Sequence, residues 1–398
     1  MPYFPEAPPA PPVEPADDLE QFAAEYRASL PITGQFIYLN HASVGPLSDW
    51  VVAAAAEQFT QQQMAQTVTQ DDWFNGWRLA RQRIGELINT NKDNICAMPN
   101  TWAGLARAFS ALPLGAGDEV LFPADEFPSL YFALSELRIR GCEVRAVEPG
   151  AGDGIVRTAD LLAAIGPKTK LLATSWVNFF HGFKHDLTAL GEACRANRTW
   201  CVVDAIQGLG QLPLDVEQTG VHFVACNGAK WLCSPLGSGF LYVSADVPLE
   251  ITPRLEGWFS MELNHDQYTD RAVQPKANAN RFGTGTVSLA STYGLRRSCE
   301  VFLAAGPQRA SRRALRLAGT IATAAVAAGI RLVSDRDRGA SAIVSLKLAD
   351  CPALPDALKA RRVAFSVREE AVRLSPHWYT DQAEVESVNE IICQHGPG

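Results

Sequence analysis

Among 398 residues there is no Cys-x-x-Cys pair, no His-Glu-x-x-His, and no coupling of Cys with His at zinc spacing. A structural or catalytic metal therefore has no support in the sequence. Nine cysteines, at 96, 142, 194, 201, 226, 233, 299, 351 and 393, follow no regular framework, which points to reduced, mostly buried thiols and no disulfides. Basic residues are not in excess: 35 Lys and Arg against 43 Asp and Glu leave a formal net charge of -8, which argues against nucleic acid as a partner. The opening MPYFPEAPPAPPVEP has no basic segment followed by an apolar one. The longest weakly polar run, 317–330, contains Thr and Gly and is too short to span a bilayer. The expectation is a cytoplasmic protein without a membrane segment.

What is present reads as a globular α/β chain. A hydrophobic share of 47% with 20% charged is ordinary. Single cores stop growing at roughly 250–300 residues, so a large and a smaller domain are expected. The first fifteen residues hold seven prolines, a composition suited to an extended arm rather than helix or sheet. Helices are predicted over 17–29, from 49, and over 71–88, with a short extended piece at 37–39 ending in the turn-rich NHASVGP. Strands and helices then alternate: a strand near 94–98, a helix from Thr101, strand GDEVLFP, helix SLYFALSELRIRG, strand CEVRAVEP, helix TADLLAAIG, strand KLLATSWV, helix DLTALGEACRANR, and strands WCVVDAI and HFVACN. Near-continuous apolar strands between amphipathic helices indicate a mostly parallel sheet with helices on both faces. The chain becomes irregular over 247–280. A long helical stretch over 291–328 then leads to strand, helix, strand and helix, read as a small α+β domain.

Ligands of such sheets bind at the carboxyl ends of strands. Lys230, in HFVACNGAKWLCSPLGSGFLYV, stands there, and burial would make its amine a usable nucleophile. Asp204 ends the apolar strand WCVVDAI, where a carboxylate can hold a heteroaromatic nitrogen protonated; Gln207 lies one turn beyond. The G-L-G that follows also suggests a nucleotide turn, but it lacks the third glycine of that fingerprint and Pro213 follows closely. Asn100 and Thr101 mark a strand-to-helix junction whose free N–H groups suit a phosphate or serve simply as a cap. Phe127, in DEFPSLYF, offers an aromatic plate for a flat ring, although any single Phe is ordinarily core.

With these pieces in order, the sequence resembles the class V aminotransferase family of pyridoxal-phosphate enzymes, in its isopenicillin-N-epimerase-like and cysteine-desulfurase-like branch. The likeness rests on YLNHASVGP, PNTWAGL, SWVNFFHGF, VVDAIQGLGQLPLDV, GAKWLCSPLGSGFLYV, RFGTGTVS and VRLSPHWY. It implies fold type I of pyridoxal 5'-phosphate (PLP) enzymes. The large domain would have a mostly parallel seven-stranded sheet over 49–288. A small α+β domain would span 289–398, a segment packing on it 16–48, and the Pro-rich arm 1–15.

The resemblance makes Lys230 the covalent cofactor lysine and Asp204 the partner of the ring nitrogen. Gln207 would bond the ring oxygen, Phe127 would stack on the ring, and Thr101 with the amide of Trp102 would hold the phosphate. Thr286 would reach in from a second subunit of a homodimer, and Asn178 and Arg373 would clamp the substrate α-carboxylate. His41 is a further candidate for substrate contact, and His41 and His181 for a second acid-base role. Departures carry equal weight. Ala229 stands where many relatives have histidine, with Asn227 the expected replacement, and Trp102 stands where a small hydroxyl residue is common. The segment VAFSVREEAVRLSP has no cysteine, whereas desulfurases carry a reactive one just before the carboxylate-binding arginine; Cys351 and Cys393 only flank it. Persulfide chemistry is thereby removed. What remains is chemistry at Cα of an amino acid. The first expectation is carbon-sulfur lysis of a bulky S-substituted cysteine in secondary metabolism. Oxygen-dependent decarboxylative deamination, epimerisation and transamination are the alternatives. The aromatics Trp102, Phe179, Phe180, Trp258, Phe259 and Trp378 are expected near the pocket.

Overall fold

The computed structural model describes residues 13–64, 70–263, 269, 272–336 and 339–397. Most of the expected Pro-rich arm, residues 1–12, lies outside them. Seven strands form the principal sheet: β2 (Ile95–Met98), β3 (Glu119–Pro123), β4 (Glu143–Val147), β5 (Thr169–Ser175), β6 (Trp200–Asp204), β7 (Phe223–Asn227) and β8 (Gly239–Val243). Their order is β2-β8-β7-β6-β5-β3-β4, parallel throughout except for β8, which runs against both neighbours. This is the mostly parallel α/β sheet that the sequence pattern implies. Two further pairings lie outside it. β1 (Ile37–Tyr38) pairs with β10 (Val363–Ala364), and β11 (Ser366–Arg368), β12 (Ala371–Leu374) and β9 (Val344–Lys347) make a three-stranded antiparallel sheet.

The apolar runs fold this way because alternate residues of each central strand bury on opposite faces. Cys201 and Val203 of β6, Val224 and Cys226 of β7, and Phe240 and Tyr242 of β8 join one apolar cluster. Val202, Phe223, Ala225, Leu241 and Val243 join the other. A strand covered on both faces tolerates no polar residue in its interior, which is why the polar groups gather at the ends. All nine cysteines are free thiols, eight of them buried and Cys393 exposed. No helix among the described residues is long and apolar enough to cross a membrane.

Two helical readings are corrected. The single helix expected over 129–141 is two, Pro128–Ala133 and Ser135–Ile139, joined at Leu134. The single helix expected over 291–328 is Leu289–Ala305 followed by Pro307–Ala327. Gly306 adopts φ 74°, a conformation that other residues resist, and the ring of Pro307 then occupies the first turn of the next helix.

The segment before the principal sheet is fastened to elements near the carboxyl end. Arg309 Nη2 donates to Ala16 O (2.8 Å), Arg313 pairs with Glu20 (2.8 Å) and Arg27 with Glu384 (2.6 Å). Tyr26 stacks on Trp378 with ring centroids 5.2 Å apart.

Candidate active site

The carboxyl ends of β2, β3, β5, β6 and β7 open on one edge of the sheet. Because β8 runs antiparallel between β2 and β7, Met98 and Asn227 both face Gly239. The Thr101 helix start and the Lys230 turn therefore share that edge. Ser175 of β5 lies beside Asp204 of β6.

Asn227 Oδ1 accepts the Ala229 N–H at 2.6 Å, bending the chain after β7. Lys230 O then accepts from Cys233 N at 3.0 Å, and Ala229 O accepts from Gly45 N at 2.8 Å. The lysine is thus fixed from both sides, by its own turn and by the NHASVGP segment. Its Nζ stands 5.5 Å from the centroid of the Phe127 ring. Burial pulls the amine down to about 8; Asp204 resists the shift, while Arg373 and Arg368 add to it. Asp204, itself buried, is pushed up to about 6, with the Ile206 N–H (2.9 Å from Oδ1) and Lys230 opposing.

Beyond β3, Phe127 packs edge-on against Phe179 with centroids 5.0 Å apart. Its neighbour Glu126 accepts from Ser175 N and Ser175 Oγ, both at 2.6 Å, and from Phe127 N at 2.9 Å. Burial raises Glu126 to about 7, with Asp204 contributing. This second carboxyl beside Asp204 escaped the sequence reading; the signal available was an acid directly preceding the aromatic plate at a strand end.

Helix Thr101–Ala111 begins with Asn100 Oδ1 capping Ala103 N at 2.9 Å. Thr101 Oγ1 is buried without any hydrogen-bond partner. A buried hydroxyl left unpaired is costly, and the first N–H groups of a helix also lack intrahelical acceptors. The arrangement fits an anion such as a phosphate. Trp102, beside it, is exposed.

Arg373 is buried, which lowers it to about 10, with Arg368 contributing. Its Nη2 donates to Ser43 Oγ (2.7 Å), Nε to Ser366 Oγ (3.2 Å) and Nη1 to Phe179 O. Those bonds engage three of its five N–H donors. Asn178 is more committed than expected: Nδ2 donates to Asp125 O (2.8 Å), while Oδ1 accepts from Phe180 N (2.8 Å) and His181 N (3.3 Å). One N–H of its amide remains for a ligand. Gln207 is similarly engaged, Nε2 donating to Ala42 O and Oε1 accepting from Trp231 Nε1, both at 2.8 Å, which again leaves one N–H.

Three expectations are corrected. His41, expected at the substrate, is fully buried with both ring nitrogens engaged, Nδ1 2.9 Å from Ser375 O and Nε2 2.5 Å from the Tyr379 hydroxyl. A carbonyl only accepts, so Nδ1 carries the proton, and burial drops the ring to about 4. His181 Nδ1 accepts the Phe183 N–H (3.1 Å), leaving Nε2–H to donate to Asp125 Oδ2 (2.8 Å); it braces the 178–183 loop. Trp378 lies in the interior, stacked on Phe22 and Tyr26, not at the pocket. Thr286 is exposed, and among the described residues no hydrogen bond joins it to the other candidates.

Comparison with known proteins follows the same lines. The sequence model of the family described as Aminotransferase class-V matches residues 37–388. A probable cysteine desulfurase of Methanothermobacter thermautotrophicus is 27% identical over 304 residues, 74% of this chain and 73% of that protein. The uncharacterized aminotransferase YcbU of Bacillus subtilis is 24% identical over 397 residues, 94% of this chain and 99% of its own. Among solved structures, the cystine C-S lyase C-DES in complex with its product cysteine persulfide aligns with a TM-score of 0.83 at 21% identity, covering 92% of this chain and 100% of that one. A C-DES mutant with glycine covalently linked to the PLP cofactor aligns equally well, TM-score 0.83, over 93% of this chain and 99% of its own. These structural likenesses are likenesses of fold.

Proposed function

The chain belongs to the aminotransferase class-V family, and from that premise we propose that this PLP-dependent enzyme cleaves the carbon-sulfur bond of a bulky S-substituted cysteine in secondary metabolism. It would work in the cytoplasm as a homodimer. The observation that carries the reading is a buried amine, Lys230, between Asp204 and the Phe127 ring, facing a hairpin that supplies Arg373 but no thiol. Cys351 is buried and pushed up to about 11, and Cys393, the one exposed thiol, lies on the last helix, Gln382–Gln394. A sulfur-accepting nucleophile is therefore missing where the desulfurase reaction requires one.

The residues present fit the cofactor. Lys230 would bind its aldehyde carbon, Asp204 would face the ring nitrogen and Phe127 the ring. Thr101, the Trp102 amide and Asn227 would take the phosphate, Gln207 the ring oxygen, and Thr286 of a second subunit would complete the phosphate site. When bound, PLP supplies a sink for the electron pair left at Cα when a proton departs. Arg373 and Asn178 would hold the α-carboxylate. The Lys230 amine would take the Cα proton, and the sulfur would leave Cβ as a thiolate that takes up a proton. With one water the balance is S-substituted cysteine to thiol, pyruvate and ammonium. Phe127 and Phe179 form an apolar wall suited to a large substituent.

The test is incubation of the purified holoenzyme with a panel of cysteine conjugates, under air and under argon. Equal yields of thiol and pyruvate in both atmospheres support the reading. Oxygen uptake with loss of carbon dioxide, or deuterium incorporation at Cα with the amine retained, overturns it in favour of oxidative deamination or epimerisation. Formation of a keto acid with the carbon-sulfur bond intact overturns it in favour of transamination.

A further inference from the structure

We propose that Arg368 is a specificity residue of this site, and that the substrate carries a second acidic group, on its sulfur substituent, in addition to the α-carboxylate. The inference rests on the lyase reading and narrows its substrate class.

The geometry comes from the β11–β12 hairpin. Ser366 stands opposite Arg373, Val367 opposite Val372 and Arg368 opposite Ala371. Opposed residues share a face and successive residues alternate, so Ser366, Arg368, Ala371 and Arg373 project to the same side. The 3.2 Å bond from Arg373 Nε to Ser366 Oγ places that side, because it is the side on which Arg373 also meets Ser43 and Phe179. Arg368 lies two residues further along the strand, about 7 Å from Ser366 by strand rise. It is exposed where Arg373 is buried, so it stands at the rim of the same cleft. Its charge is felt at both Lys230 and Arg373.

Other cations near the hairpin are matched within the chain. Lys347 pairs with Glu370, Arg331 with Asp350, and Arg157 with Asp153 and Asp335. Among the described residues the Arg368 side chain makes no hydrogen bond or ion pair. Three cations thus converge on one opening; of the buried acids at that edge, Asp204 is assigned to the cofactor and Glu126 is held by Ser175 and the Phe127 N–H. Like charges without a counter-ion repel, and an anionic ligand relieves them. Arg373 has two free N–H donors, enough for one carboxylate. A substituent leaving Cβ toward the rim would carry its own anion to Arg368.

The test compares two cysteine conjugates of matched size, S-(2-carboxyethyl)-cysteine and its neutral amide, S-(2-carbamoylethyl)-cysteine. Binding is read from the change in the visible spectrum of the holoenzyme, and turnover from thiol release. The acid is expected to show at least tenfold higher kcat/KM and tighter binding, with the ratio shrinking as salt rises. In Arg368→Gln the acid-to-amide ratio is expected to fall to about one, and in Arg368→Lys to persist in part; circular dichroism and cofactor content verify that both variants fold. A wild-type ratio near one, or a ratio unaltered in Arg368→Gln, overturns the assignment of Arg368 while leaving the lyase reading standing. Binding that favours the acid without thiol release supports Arg368 and counts against the lyase reading. A spectrum that neither compound alters overturns both.

Discussion

Gly45 faces the carbonyl oxygen of Lys230 so closely that a Cβ on it would stand 2.0 Å from that oxygen and 2.9 Å from Cys233 Cα. Both obstacles are backbone, so neither can swing aside. Gly45→Ala is therefore expected to displace the lysine turn and weaken PLP binding at least tenfold, measured by titrating cofactor into the cofactor-free protein. Wild-type affinity in a folded Gly45→Ala protein would disprove the fixed-turn account.

Asp204 links the stability of the cofactor-free protein to pH. In the cofactor-free protein its carboxyl titrates near 6 instead of 3.8, so the folded state holds the proton more tightly than the unfolded one. Stability is accordingly lost as pH rises from about 4 to about 6, by on the order of 3 kcal/mol for a two-unit shift. Glu126, raised from 4.5 to about 7, acts in the same direction between about pH 4.5 and 7 and supplies the part of the fall that Asp204 does not. Asp204→Asn is expected to make the fall in urea-unfolding stability between pH 4.5 and 6.5 shallower, leaving the share due to Glu126. An equally steep fall in the variant would contradict this origin.

Lys230 gives a kinetic counterpart. An amine lowered from 10.5 to about 8 is substantially neutral at mild alkalinity, and only the neutral form attacks an aldehyde. The rate of PLP capture by cofactor-free protein, followed by absorbance, is expected to rise with pH around a midpoint near 8. A rate still climbing tenfold per unit at pH 9.5 would place the amine in a far more solvated setting.

Trp231 and Gln207 are joined by a buried 2.8 Å hydrogen bond. Trp231→Phe removes the donor and strands the Gln207 Oε1 acceptor, at a cost of about 1–3 kcal/mol. Urea denaturation should register that loss, and adding Gln207→Leu, which removes the stranded atom, should recover part of it.

Much of this site was readable from the chain because the central strands leave polar residues nowhere to go but the sheet edge. Asp204 and the Lys230 turn stand out for that reason, as acid and amine at the ends of apolar runs. His41 does not follow this logic. It sits in a polar turn, but Tyr379 and Ser375, more than 330 residues away, fold over it and consume both ring nitrogens. Trp378 looked like pocket lining for a similar reason, since its stacking partners Phe22 and Tyr26 belong to a distant helix. Glu126 was passed over because an acid in a turn ordinarily faces water, whereas here Ser175, on another strand, closes over it. The break at Gly306 and Pro307 was visible in composition, and the helical periodicity on both sides obscured it.

The pairing of β1 with β10 sets an order of events during synthesis. Ile37 and Tyr38 precede their strand partners, Val363 and Ala364, by 326 residues of chain. Until residues 363–373 have emerged from the ribosome, the turn that buttresses the lysine has no strand partner at its amino-terminal side, and Ser43 has no guanidinium to bind. Cofactor capture is therefore expected to wait for that stretch of chain, and a nascent chain stalled before residue 363 should emerge without colour.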